Sequence, residues 1–318
     1  MLAKIIFVAL ICTISGAKIA DVPETLIVGG EEAEKNEFPW LVRMWVVQDE
    51  GLPRFCAGTL VEMDLVLTTA TCVANSPQII VTAGDHNVTQ NDGTEQSLTS
   101  KQIIVHENFN ATGKLENDIA LVQLVSALEQ TEAVNTVNFV SNNFDINNAI
   151  NGVAAGWGQI EIPTEGDGQL AETLRKVQVP ILNSTVCGAL PSLDVSDVQF
   201  CTSDVKGGLK GDIGSPILCS NVPTNVCGIL LRSVVTEDEP KRIVGVYLKT
   251  SDYNRWIEDN LPPLPTTTTP PTTTTPTTTT PTTTTPDDDD DITSTPAAGA
   301  YSLAAGFSVL IGLLALVF

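Results

Sequence analysis

The sequence predicts an all-β fold over residues 27 to about 250. Two observations carry that prediction. Apolar runs in this stretch are short, as in Ile79-Ile80-Val81, Ile103-Ile104-Val105, Ile119-Ala120-Leu121-Val122 and Val153-Ala154-Ala155. Clusters of Gly, Asn, Asp and Pro separate them. Runs of this length, bounded by turn formers, suit the strands of a barrel or a sandwich. Near the end of the stretch a helix is expected. Ser251 or Asp252 supplies its cap, Tyr253, Trp256, Ile257 and Leu261 fall on one face, and Pro262-Pro263 stops it.

The segments outside this stretch point to export. Lys4, the apolar run Ile5 to Cys12 and the small residues Ser15-Gly16-Ala17 form a secretory signal, residues 1–17, cut after Ala17. Composition changes at Pro262. Residues 265–286 repeat Thr-Thr-Thr-Thr-Pro, which builds no core and favours extended, polyproline-like chain. Thr with Pro at this density reads as an O-glycosylated stalk, roughly 70 Å long if extended at about 3.1 Å per residue. The stalk region, 262–296, includes Asp287 to Asp291, a solvated spacer. Residues 297–318 read as a GPI-attachment signal. Leu303 to Phe318 is apolar and uncharged, is short for a span of about 20 residues, and is followed by no basic residue. Small residues precede it, with Ser294 the expected attachment point and Ala297 to Gly299 next. A transmembrane anchor is the alternative.

Charge narrows the partners. Asp and Glu number 38 against 16 Lys and Arg, a net charge of −22. Nucleic acid and anionic membrane surfaces want a basic face, so neither is expected as the main partner. Of seven cysteines, Cys12 leaves with the signal, and Cys56, Cys72, Cys187, Cys201, Cys219 and Cys227 remain. An even count in an exported chain implies disulfides. The two histidines lie far in sequence from any Cys pair, so no metal site and no cofactor are expected. Asn87-Val88-Thr89, Asn110-Ala111-Thr112 and Asn183-Ser184-Thr185 are glycosylation sequons.

A series of motifs then resembles one family. Ile27-Val28-Gly29-Gly30 is similar to the mature N-terminus of chymotrypsin-like serine proteases. Leu67-Thr68-Thr69-Ala70-Thr71-Cys72 resembles the motif around the catalytic histidine. Asn117-Asp118-Ile119-Ala120-Leu121 resembles the motif of the catalytic aspartate, and Ala155-Gly156-Trp157-Gly158 the opening of the second half. Gly211-Asp212-Ile213-Gly214-Ser215-Pro216 resembles the nucleophile motif, and Gly245-Val246-Tyr247 with the Trp256-Ile257 helix completes the series. The resemblance covers residues 27–261 and implies two antiparallel six-stranded β-barrels with a C-terminal helix and a cleft between the barrels. It makes 18–26 a propeptide-like segment ending at Leu26-Ile27, where trypsin-like activators want Arg or Lys; either a protease that prefers Leu cuts there or nothing does. It implies the pairs Cys56–Cys72 and Cys187–Cys201. Cys219–Cys227 is what those leave, helped by an Asn221-to-Asn225 turn.

The departures from the family decide the expected function. Acyl transfer needs a hydroxyl nucleophile and an imidazole that takes its proton. Thr71 stands where the motif has His, and Ile213 where it has Ser. Threonine cannot act as a general base near neutral pH, and isoleucine has no nucleophilic atom. Asp118 is present with no imidazole to orient. His86 and His106 match ordinary scaffold positions. Leu209 replaces a cysteine that braces the specificity pocket, Gly207 falls near its base, and Gly228 to Ser233 replaces the substrate-binding Ser-Trp-Gly edge. Gly211 and Ile213 keep the oxyanion-hole-like turn. Asp212 is either the counterion of a freed Ile27 amine or a buried turn carboxylate. The expectation is a catalytically inactive homologue, tethered outside the cell, that binds a protein or surface ligand. An active serine endopeptidase and a structural surface glycoprotein are the alternatives.

Overall fold

The computed structural model describes residues 28–112, 114–163, 168–190, 193–237 and 239–261. The expected signal (1–17), propeptide-like segment (18–26), stalk (262–296) and attachment signal (297–318), with Leu26, Ile27 and Ser294, lie outside the described residues. Among those described, no helix is long and apolar enough to cross a membrane.

Six strands close the first barrel. They are β2 (Leu41–Val46), β3 (Arg54–Glu62), β4 (Leu65–Thr68), β5 (Ile79–Ala83), β6 (Gln96–Val105) and β7 (Ala120–Leu124). The ring runs β2-β3-β4-β7-β6-β5, and antiparallel pairing of β2 with β5 closes it. Period-two alternation sets what faces inward. In β2, Val42, Met44 and Val46 are buried while Arg43 and Trp45 look out. In β5, Ile79, Val81 and Ala83 are buried while Ile80 and Thr82 look out.

The second ring is β9 (Asn151–Gly156), β10 (Arg175–Leu182), β11 (Gln199–Asp204), β14 (Ile243–Lys249), β13 (Asn225–Val235) and β12 (Pro216–Cys219). Pairing of β9 with both β10 and β12 closes it. The two-residue strand β1 (Glu31–Glu32) adds to β10, and β8 (Asn138–Phe139) pairs in parallel with β13. The predicted all-β fold of two six-stranded barrels is the observed one, and each apolar run named above lies in a strand or at its start.

Three disulfides fasten the frame. Cys56–Cys72 joins β3 to the short helix α1 (Ala70–Val73). Cys187–Cys201 joins α2 (Ser184–Gly188) to β11, and Cys219–Cys227 joins β12 to β13. The C-terminal helix α3 (Asn254–Asp259) departs from the expected cap. Ser251 and Asp252 belong to a preceding 3-10 turn, Thr250–Asp252, and Tyr253 stands at the N-cap with no side-chain capping bond. The Tyr253 hydroxyl instead donates to Asn117 Oδ1 at 3.1 Å, a partner remote in sequence. Tyr253 and Ile257 are buried on the expected face.

The barrels share an apolar seam. Leu65 and Leu67 of β4, with Ile119 and Leu121, pack against Ile229, Leu231, Val244, Val246 and Leu248 of the second barrel. The intervening residues Val66, Ala120 and Val122 point into the first barrel's own core. At the seam's edge Gly214 holds φ at +88°, and a Cβ there would collide with Ala57 O and Thr68 Oγ1 of the first barrel. Gly214→Ala therefore combines backbone strain with overpacking and is expected to cost about 2 kcal/mol or more. Urea unfolding of the variant beside the wild type measures this, and equal midpoints would show that the contact yields.

Candidate functional site

The seam delivers three sequence-remote residues to one end of the cleft. Thr71 lies in the first turn after β4. Asp118 lies just before β7, which pairs with β4 through Thr68 and Ala120. Ile213 lies just before β12, and its carbonyl accepts the Ala57 N–H of β3 at 2.8 Å. Thr71 N–H donates to Asp118 Oδ1 at 2.7 Å, and Thr71 Oγ1 donates to Oδ2 at 2.8 Å. The Ala70 backbone N–H donates as well. Asp118 is fully buried, and burial pushes its carboxyl up to about 6 against these hydrogen bonds. The Ile213 side chain, half-buried, packs against the cores of both barrels.

The two histidines are engaged elsewhere. His86 Nε2 lies 3.2 Å from Glu32 Oε1, and its backbone carbonyl accepts the Trp157 indole N–H at 3.1 Å. The His106 ring lies against Tyr253 and Trp256 of the C-terminal segment, at 5.7 and 5.1 Å between centroids. Burial lowers the His106 pKa, with Glu107 acting in the opposite sense.

The turn before β12 is held from below. Asp212 is buried and accepts N–H bonds from Gly158 at 2.7 Å and Leu209 at 3.1 Å. The other partner expected for it, the Ile27 amine, lies outside the described residues. The glycines at 156 and 158 are required there, since a Cβ on either would strike the Asp212 carboxylate. Gly211 adopts φ +102° with Gly158 Cα close behind it, and Gln159 N–H donates to Lys210 O at 3.0 Å. Burial pushes Asp212 up to about 7, the amide bonds opposing it. Across the expected specificity pocket, Ser233 Oγ donates to Gly208 O at 2.7 Å, bridging its two walls. Leu209 is buried beside this bridge, and Leu231 is buried in the seam.

Other features were invisible in the sequence. A cavity of about 260 Å³ opens near Gly211, walled mainly by Trp45, Phe55, Val88, Trp157 and Leu170. Asp85, Asp92 and Glu95 bring carboxylate oxygens within 4.8 Å of one another. A search for His and Cys spacing does not find such a cluster. Most of its oxygens already have donors. Arg43 Nη2 and Nε donate to Asp85 Oδ2 at 2.6 and 3.0 Å, Lys35 pairs with Asp92, and loop amides reach Asp92 and Glu95. Asp85 Oδ1 is buried without a hydrogen-bond partner among the described residues. At the sequons, the side-chain oxygens of Asn87, Asn110 and Asn183 accept backbone N–H bonds from Thr89, Thr112 and Val186. A glycan would use the amide nitrogen instead.

The buried carboxylates predict a pH dependence. The folded pKa of Asp212, about 7, exceeds its ordinary value of 3.8, so the folded state holds the proton more tightly. Its contribution is complete below the ordinary value and is lost as pH rises to about 7. Asp118 acts in the same sense up to about 6. Asp212→Asn cannot ionise, so thermal melts from about pH 5 to about pH 8 are expected to shift relative stability toward the variant. Parallel curves for variant and wild type would refute the assignment.

The trypsin family model matches residues 27–257. Chymotrypsin-like elastase family member 1 of Macaca fascicularis is 30% identical over 271 residues, covering 82% of this chain and 99% of that protein. Human granzyme H is 32% identical over 242 residues, covering 75% and 92%. Coagulation factor IX of Cavia porcellus is 30% identical over 238 residues, covering 72% and 80%. With the double barrel and the ordered motifs, these matches establish that the chain belongs to the chymotrypsin/trypsin-like serine protease family.

Proposed function

We propose that the chain is a non-catalytic serine protease homologue, displayed outside the cell, that acts by binding a protein or another surface ligand. One observation carries the reading. Both oxygens of Asp118 are taken up by Thr71 and Ala70, and Ile213 stands where the family's chemistry needs a hydroxyl. A triad aspartate works by orienting an imidazole, and that imidazole works by accepting the nucleophile's proton. Neither step has its atoms here. Loss of such members lowers acyl transfer by orders of magnitude, leaving the residual rate that binding and oxyanion stabilisation supply. The Ser233–Gly208 bridge adds a second impediment, because it spans the space a substrate side chain would enter.

The same reading covers display. Three disulfides fit an oxidising compartment, in line with the N-terminal secretory signal. The Thr/Pro tract, the acidic run and the uncharged apolar segment 303–318 support a glycosylated stalk ending in a glycolipid, with Ser294 as attachment point. Glycans at Asn87, Asn110 and Asn183 complete it. A working endopeptidase, the rival reading, rests on family membership.

Two experiments test this. A fluorophosphonate probe is expected to leave the purified protein unlabelled, and peptide esters to be hydrolysed at background rate. Thr71→His with Ile213→Ser is expected to restore little turnover, because the pocket walls stay bridged and transition-state binding depends on them. Labelling of the native fold that heat abolishes would overturn the reading. For display, phosphatidylinositol-specific phospholipase C is expected to release the domain from intact cells. Retention, with recovery of a C-terminal peptide ending in Phe318, would establish a transmembrane anchor instead.

A further inference from the structure

The C-terminal helix α3 is held to the loop before β7 through one histidine. The His106 ring lies against Tyr253 and Trp256, at 5.7 and 5.1 Å between centroids. Hydrogen bonds then close a circuit through the same place. His106 Nδ1 accepts the Asn108 N–H at 3.2 Å. The Asn108 carbonyl accepts from Asn117 Nδ2 at 3.2 Å, and Asn117 Oδ1 accepts the Tyr253 hydroxyl at 3.1 Å. Tyr253 returns to His106 by its ring. Beside the circuit, the Trp256 indole N–H donates to Glu107 Oε2 at 3.1 Å.

This arrangement fixes where a second proton can go. A neutral imidazole has one acceptor nitrogen, and here Nδ1 fills that part, so the ring carries its proton on Nε2. A further proton must enter at Nδ1, which faces the Asn108 N–H. Donor then meets donor, and that link of the circuit is lost. The side chain is 10% exposed, so water does little to solvate the charge. Burial accordingly lowers the His106 pKa, while Glu107 acts in the opposite sense. The other charges lie further off. On α3, Arg255 pairs with Asp259 and Glu258 is exposed. Asp252, Glu116 and Asp118 act on Tyr253, and β7 carries no charged residue.

We propose that His106 is an acid-sensitive latch, whose protonation opens the circuit and frees α3, with Tyr253 and Trp256, from the first barrel. Above the ordinary value of 6.5 the ring is neutral whether α3 is docked or free, so the latch holds. As pH falls below that value the freed state takes the proton first, and docking weakens. The sense is opposite to that of Asp118 and Asp212, which favour the folded state on acidification. Melts of the whole domain blend the two effects, so a local readout is needed. The latch reaches the cleft as well, because Asn117 precedes Asp118 and its own N–H donates to the Tyr253 hydroxyl at 3.2 Å.

The test follows amide hydrogen exchange of residues 254–259 in the purified full-length protein from about pH 7.5 to about pH 5, corrected for the intrinsic rate. Wild type is expected to exchange several-fold faster at the acid end, and its Trp256 emission to shift to the red. His106→Phe keeps a ring against Tyr253 and Trp256 but takes no proton, and is expected to show no acid response. Glu107→Gln removes the group that helps the ring to charge, so the onset is expected to move to lower pH. His86→Gln is expected to respond as wild type does. A flat profile in wild type, a response that survives in His106→Phe, or one lost in His86→Gln overturns the proposal. Where His106→Phe does not fold, Glu107→Gln decides, and an unmoved onset overturns the latch.

Discussion

Everything in the cleft depends on two strands being buried on both faces. In β4, Val66 points into the first barrel while Leu65 and Leu67 point into the seam. Around β7 the same division holds, with Ala120 and Val122 on one side and Ile119 and Leu121 on the other. A strand with two apolar faces has no freedom to slip, since a shift of one residue exchanges every contact on both sides. The β4–β7 register therefore determines where α1 begins and where Asp118 stands. It also presents the β3–β4 wall against which Gly214 and Ile213 dock.

Such a frame carries two carboxylates that water does not reach, and it handles both by the same physics. Burying an ionised carboxylate is costly unless hydrogen-bond donors surround it. Asp118 has two amides and a hydroxyl, and Asp212 has two amides. In both, desolvation outweighs the donors and the carboxyl titrates well above its ordinary range. The close glycines around Asp212 are the steric counterpart, since only backbone without a Cβ lets amides approach so near.

What the sequence disclosed and what it hid follow the range of the interactions. Strand identity was legible because alternation and turn residues are local, and Ile79-Ile80-Val81 shows its character within three residues. The Cys219–Cys227 pair was legible because a turn of the intervening residues brings β12 and β13 together. The cap of α3 was misread because its geometry answers to Asn117, far away in the chain. The Ser233–Gly208 bridge was hidden for a similar reason, since it joins β13 to a loop residue 25 positions earlier in the chain. Motifs place Thr71, Asp118 and Ile213, yet the bond from Thr71 to Asp118 joins residues 47 apart in the chain, which no local pattern pairs.

That bond explains how the frame tolerates its changed residues. Removing an imidazole from beside a buried carboxylate leaves an oxygen without a donor, which costs about 1–3 kcal/mol or more for a charged group. Thr71 supplies the donor, with its hydroxyl 2.8 Å from Asp118 Oδ2. Ile213, where the family's motif has a serine, makes apolar contacts to both cores. Under the proposed function, these two positions serve the folded state through a hydrogen bond and through packing, and supply neither a proton acceptor nor a nucleophile.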